Sequence, residues 1–160
     1  MLFRSGTNVW VGNHGDPSIS RISASSGTVV QTIAQACGPT GISSDGGQVF
    51  VSSTCSGAGR VVILAASGPA VGSVIQGVDF VLDGFAVPGN PYGVCSDGTH
   101  VWATDRVNSQ VVIIDPSNGT VLGTVPVGPD PLMISSDGTH VWVTNWDNGA
   151  GTTVTELSAV

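Results

Sequence analysis

The chain has 160 residues, 41% of them hydrophobic, enough for one ordinary core and too many for a disordered segment. Only 9% are charged and the formal net charge is −7; lysine is absent and Arg4, Arg21, Arg60 and Arg106 are scattered, a balance that a phosphate backbone would repel. With 23 glycines and 9 prolines, the composition favours short strands joined by tight turns over helices.

From the beginning of the chain, "MLFRSGTNVW" has neither the apolar stretch nor the cleavage site of a signal peptide. No apolar run approaches the roughly 20 residues of a membrane-spanning helix. A strand pattern then recurs four times: "SGTNVWVGN" from Ser5, "DGGQVFVSS" from Asp45, "DGTHVWATD" from Asp97 and "DGTHVWVTN" from Asp137. Ser96–Asp105 and Ser136–Asn145 share eight of ten residues. The aromatic positions are Trp10, Phe50, Trp102 and Trp142, spaced by 40, 52 and 40 residues. A period near 40 with strand-like content indicates a solenoid or a propeller.

One unit can be read from its turns. A first strand, "LMISS" after Pro131, ends at an Asp-Gly pair suited to a two-residue hairpin turn, and "HVWVTN" follows as the second strand. The third is "QVVIID" at Gln110–Asp115, and the turn "PSNGT" leads to a fourth, "TVLGTVPVG", at Thr120–Gly128. Both faces are largely apolar, as in Val101 with Ala103 and Trp102 with Thr104, so each small sheet is expected to lie between two others. Trp102 and Trp142 are therefore expected in the core.

The repeat "GPDPLMISSDGTHVWVTNWDN…VTEL" resembles the YVTN-type β-propeller repeat, related in pattern to NHL repeats and to the streptogramin (virginiamycin B) lyase propellers. The resemblance rests most on "VTN" at Val143–Asn145, with "VGN" at Val11–Asn13 and "ATD" at Ala103–Asp105. It covers essentially the whole chain. It implies an all-β fold of four-stranded antiparallel meander blades, in units of about 1–38, 39–90, 91–130 and 131–160. Because the first unit opens with only "MLFR" and the last ends at "TTVTELSAV", two complete and two partial blades are expected. Such a chain reads as a segment of a larger propeller, with a self-associating half-propeller or a closed four-bladed ring as alternatives. The long middle interval comes from an insertion around 69–88, either a lid or an elongated edge hairpin.

Meander topology puts the loops between second and third strands on the same rim as the connections between blades, where propeller ligands commonly bind. Residues placed there are Asn13, His14 and Asp16; Asp105, Arg106 and Asn108; Asn145, Trp146 and Asp147; and Tyr92 and Asp130 from the connections. Variable polar and aromatic groups on a repeated frame suit a protein, peptide or glycan partner; the alternative is that they cap strands. No cofactor is implied by that reading. An enzyme of the streptogramin lyase or gluconolactonase type would instead need a divalent cation, Mg or Ca, for which Asp105, Asn145 and Asp147 are the candidate ligands. The only glutamate is Glu156, and the lyase's catalytic pattern finds no residue-by-residue match. His100 and His140 follow the turns on the opposite edge and read as repeat consensus. Of the three cysteines, Cys37 and Cys55 fall on one rim and are the expected disulfide pair, leaving Cys95 free; a disulfide would point to an extracytoplasmic location.

Overall fold

The structure is a computed structural model describing residues 2–55, 58–66, 72, 74–79, 90–151 and 153–159. Its strands are β1 (Leu2–Ser5), β2 (Asn8–Asn13), β3 (Ser18–Ser23), β4 (Val29–Ala34), β5 (Gly38–Ser44), β6 (Gln48–Cys55), β7 (Ala58–Ala65), β8 (Val74–Asp79), β9 (Pro91–Ser96), β10 (Val101–Asp105), β11 (Gln110–Ile114), β12 (Val121–Pro126), β13 (Pro131–Ser136), β14 (His140–Asn145) and β15 (Thr153–Ser158). They form four antiparallel meanders in chain order: β1–β4, β5–β8 and β9–β12 with four strands each, and β13–β15 with three. The first unit is thus more complete than its sequence suggests. Short as it is, Leu2–Ser5 pairs in register with Asn8–Val11 and supplies the edge strand. Of the insertion around 69–88, Val74–Asp79 forms β8, and most of the remainder lies outside the described residues.

The hairpin between first and second strands is set by chemistry repeated in three units. Only the glycine takes a left-handed φ, +99° at Gly46, +96° at Gly98 and +93° at Gly138, where a side chain would be strained. The preceding aspartate uses its carboxylate instead. Asp45 Oδ1 accepts the Gly47 and Gln48 amides at 2.8 and 2.7 Å, Asp97 Oδ1 those of Thr99 and His100 at 2.7 Å, and Asp137 Oδ1 those of Thr139 and His140 at 2.8 Å. These bonds hold the Asp137 carboxyl down at about 2.

Each aromatic position faces the sheet that follows. Trp10 packs with Ile42, Val49 and Val51; Phe50 with Val94, Val101 and Ala103; Trp102 with Val141 and Val143. All three rings are fully buried, Trp102 as expected. Trp142 departs from expectation: it is only half-buried, because among the described residues no sheet lies over its face of β13–β15, and its ring lies 5.8 Å from that of His140 between centroids. The repeated position decides the direction in which a side chain points; burial needs a neighbour.

The first strands of successive sheets lie side by side at the centre, β5 against β9 and β9 against β13. Their approach is close enough to exclude a side chain at two positions. A Cβ on Gly41 would sit 2.5 Å from the Tyr92 carbonyl oxygen, and one on Gly93 would sit 2.7 Å from that of Leu132.

Candidate functional site

The rim formed by the second-to-third-strand loops and the connections between sheets gathers some of the expected residues and buries others. Tyr92 enters it from the start of β9, Arg106 from the end of β10, Asp130 from the connection before β13, and Trp146 from the end of β14. Asp130 receives two hydrogen bonds from Arg106, one from Nε to Oδ1 and one from Nη2 to Oδ2 at 2.9 Å. This two-point grip fixes the guanidinium plane. The guanidinium carbon then lies 5.4 Å from the Tyr92 ring centre and 5.5 Å from that of Trp146, within reach of both π faces. Hydrogen bonds from Arg106 hold the Asp130 carboxyl below the usual carboxylate range, against the modest cost of its burial.

Beside this cluster is a hollow of about 380 Å³ lined by Asn90, Arg106, Ser109, Pro129, Asp130, Asp147 and Asn148. Four of these, Ser109, Asp130, Asp147 and Asn148, have φ of 53°, 48°, 45° and 53°. They are all the non-glycine residues with left-handed φ among the described residues, and they line one hollow. Backbone held in this sparsely populated region concentrates at sites with a task. The Trp146 and Asp147 amides donate to the Asp130 and Pro129 carbonyls, which ties the last loop to the connection before it. Trp146 remains 44% exposed. On the other side of Tyr92 a second hollow, about 420 Å³, is lined by His14, Pro39, Thr40, Tyr92 and Met133. The His14 Nδ1 lies 3.3 Å from the Pro39 carbonyl oxygen. Asp16, at the tip of its loop, is exposed and belongs to neither hollow.

Three expected surface residues work inside the fold. Asp105 is fully buried, and its carboxylate accepts from the Val107 and Asn108 amides, from Asn108 Nδ2 at 2.7 Å and from Gln110 Nε2 at 3.1 Å. Asn145 is 4% exposed, and its Nδ2 donates to the hydroxyls of Thr153 and Thr155 at 3.1 and 3.0 Å. Asn13, half-buried, makes the same pair of bonds to Ser18 and Ser20. A side chain ending a second strand is thereby spent clamping the third. Of the three candidate ligands, Asp105 clamps through its carboxylate and Asn145 through its Nδ2, while Asp147 lies on the hollow. No group of three or more His, Cys, Asp or Glu suited to a metal is present among the described residues. Asn90, Ser109, Pro129 and Asn148 were not foreseen on this rim. Asn at a loop tip tolerates left-handed backbone, a signal that could have marked Asn148; Ser109 carries none.

The disulfide Cys37–Cys55 is formed, with a Cα–Cα separation of 5.1 Å, and joins the connection before β5 to the end of β6 on this same rim. Cys95 is free and buried in β9; its desolvation, with Asp97 nearby, pushes the thiol up to about 12.

No model of a known protein family matches the sequence, and no curated protein matches it. Solved structures do. The Cps50 (Swd1) β-propeller domain of Myceliophteria thermophila superimposes with a TM-score of 0.73 at 15% identity, over 99% of this chain and 50% of that one. The fold is that of a β-propeller. BamB from Moraxella catarrhalis gives a TM-score of 0.68 at 11% identity, over 99% of this chain and 42% of that one. The computationally designed Ika4 protein gives 0.71 at 14% identity, over 99% of this chain and 89% of that one. The chain thus spans about half the length of the two natural propellers. At these identities the likeness is one of fold, and the four sheets are its blades.

Proposed function

We propose that this chain is a non-catalytic propeller module of the YVTN type that binds a protein, peptide or glycan partner on the Tyr92–Arg106–Asp130–Trp146 rim. The observation that supports it is the clamped guanidinium: Asp130 takes two of its donor nitrogens, and the Tyr92 and Trp146 rings stack about it. With its charge matched by Asp130, Arg106 acts as a strut rather than as a free cation. What the rim offers a partner is the exposed Trp146 indole, the half-buried Tyr92, and the carboxylate and amide of Asp147 and Asn148 on the adjoining hollow. A flat apolar ring beside hydrogen-bonding groups is the equipment for stacking a sugar ring or a peptide side chain while pairing its polar atoms.

The disulfide supports an extracytoplasmic location, since such a bond persists where the surroundings are oxidising. A metal-assisted lyase or lactonase is the other reading of the fold, and nothing on this rim favours it over binding. Screening the protein against a glycan array and a displayed peptide library, with Trp146→Ala in parallel, tests the proposal. Ligands enriched by the parent protein should be lost with Trp146→Ala while the unfolding midpoint stays unchanged. Enrichment that survives Trp146→Ala, or none with the parent, would sink it.

A further inference from the structure

We infer that a hollow between the first and second blades, lined by Gln35, Ser53 and Arg60 beside the Cys37–Cys55 disulfide, binds a carboxylate, either free or carried by a peptide. The inference starts from one repeat position near the end of each second strand. The ladder sets that position directly opposite a residue near the start of the third strand: Asn13 opposite Ser18, Asp105 opposite Gln110, Asn145 opposite Thr153, and Ser53 opposite Arg60. Residues paired in this way share a face of the sheet. In three blades the first member carries a flat amide or carboxylate head that clamps the third strand, Asn13 to Ser18 and Ser20, Asp105 to Gln110, Asn145 to Thr153 and Thr155. In the second blade it is a serine, which has no such head.

At that position lies a hollow of about 200 Å³, lined by Gln35, Cys37, Ser53, Arg60 and Val62 among others. Ser53 is 2% exposed, and its Oγ has no hydrogen-bond partner among the described residues. A buried hydroxyl in that state costs stability, which a bound acceptor would recover. Val62 cannot serve, since it stands where the other clamps find Ser20 and Thr155 and has no polar atom on its side chain.

Charge and shape select the ligand. The other blades face their clamp with a neutral serine, glutamine or threonine, whereas the second blade supplies a guanidinium. Arg60 also has a partner within the fold, and its five donors let it serve that partner and a ligand together. Gln35 Nε2 donates to the Ala34 carbonyl at 3.0 Å and keeps a second hydrogen. Hydroxyl, guanidinium and amide can therefore all donate, and none of the described residues around the hollow is acidic. The planar fork of a guanidinium matches a planar carboxylate, the group that Asp105 holds at the same repeat position. The hollow is smaller than the roughly 300–1,000 Å³ of sites for drug-sized ligands, and so suits one small group. It shares no residue with the hollow beside Arg106, which keeps its test separate from that of Trp146.

Titration of the isotope-labelled protein with sodium acetate, followed by NMR against sodium chloride at equal ionic strength, tests this. Acetate should shift the Ser53 backbone amide and the Gln35 side-chain amide saturably, and chloride should not. Ser53→Ala removes only a hydroxyl, so the protein should stay folded by circular dichroism while acetate binds about tenfold more weakly; Arg60→Gln should weaken it at least as much. Ser53→Asp supplies the carboxylate from within, and should abolish the acetate response and raise the thermal midpoint by about 2 °C or more. N-acetyl-aspartyl amide in place of acetate separates the two sources: tighter binding than acetate marks a peptide's carboxylate, and weaker binding a free small acid. No saturable response to acetate, acetate binding that Ser53→Ala leaves unchanged, or a lowered midpoint for Ser53→Asp would each overturn the proposal.

Discussion

Replacing Asp97 by alanine separates two jobs that the repeated Asp-Gly turn does with one carboxylate. Oδ1 of Asp97 accepts the Thr99 and His100 amides, as Asp45 Oδ1 accepts those of Gly47 and Gln48. Oδ2 of Asp97 additionally takes the Trp102 indole N–H at 2.7 Å, a bond with no counterpart in the second blade because its aromatic is Phe50. Losing a capping carboxylate costs about 1 kcal/mol, so Asp45→Ala should cost about that much. Asp97→Ala should add about 1–3 kcal/mol for leaving a donor unpaired on a tryptophan that is 1% exposed, for a total of about 2–4 kcal/mol. Trp10 already shows the deprived state: its buried Nε1 has no partner among the described residues, and its repeat reads Ser-Gly where the third reads Asp-Gly. Asp97→Asn should be nearly as costly as alanine, since an amide nitrogen turned toward the indole N–H sets donor against donor. Urea unfolding followed by far-ultraviolet circular dichroism at neutral pH measures all three. Equal losses for Asp97→Ala and Asp45→Ala, within about 0.5 kcal/mol, would show that the indole bond contributes nothing and that the reasoning fails. The pH dependence offers a second check. Against the desolvation of burial, hydrogen bonds from the His100 and Thr99 amides and the Trp102 indole, with the His100 ring nearby, hold the Asp97 carboxyl below its ordinary value. Its folded pKa being depressed, its stabilisation is present above about pH 4 and lost as pH falls through the folded value, so the gap between parent and Asp97→Ala should narrow in acid.

Trp102→Ala should cost about 3–5 kcal/mol, while Trp142→Ala should cost clearly less, because that ring is only half-buried; equal losses in urea unfolding would show that Trp142 is covered. Breaking the Cys37–Cys55 bond, which spans 18 residues, should cost about 3 kcal/mol, read as the shift between oxidised and reduced unfolding curves, and no shift would mean that the loop is fixed by other contacts. Cys95 should not react with a thiol reagent until the protein unfolds, given its burial and a thiol pushed up to about 12; rapid labelling of the native protein would contradict its placement. Asp130 and Asp137, like Asp97, titrate below the ordinary range, so thermal stability should fall as pH drops from about 4 toward 2, and a flat profile there would remove these carboxylates from the account.

How much of this was legible in the sequence follows from which forces are local. Turn and strand are short-range matters: an aspartate that can reach the amides two and three residues ahead, a glycine that can take positive φ, and an apolar strand with a central aromatic recur together, so the four repeats could be read from spacing alone. The rim position of Arg106, Asp130, Tyr92 and Trp146 follows from meander topology, itself a consequence of those turns. What spacing could not give is the partner each side chain meets across blades. Asp105 and Asn145 end their strands as Arg106 and Trp146 begin their loops, one residue apart, yet the first pair turns inward to Gln110 and to Thr153 and Thr155 while the second stays on the surface. Trp102 and Trp142 occupy identical repeat positions, and only one is buried, because burial belongs to the neighbouring sheet rather than to the residue. The sequence by itself determined the repeated blade and the rim its loops share; the tertiary structure alone decided which polar groups are spent on clamps, which ring is left open, and that Arg106 meets Asp130 across 24 residues, since those outcomes depend on contacts between blades that no local pattern encodes.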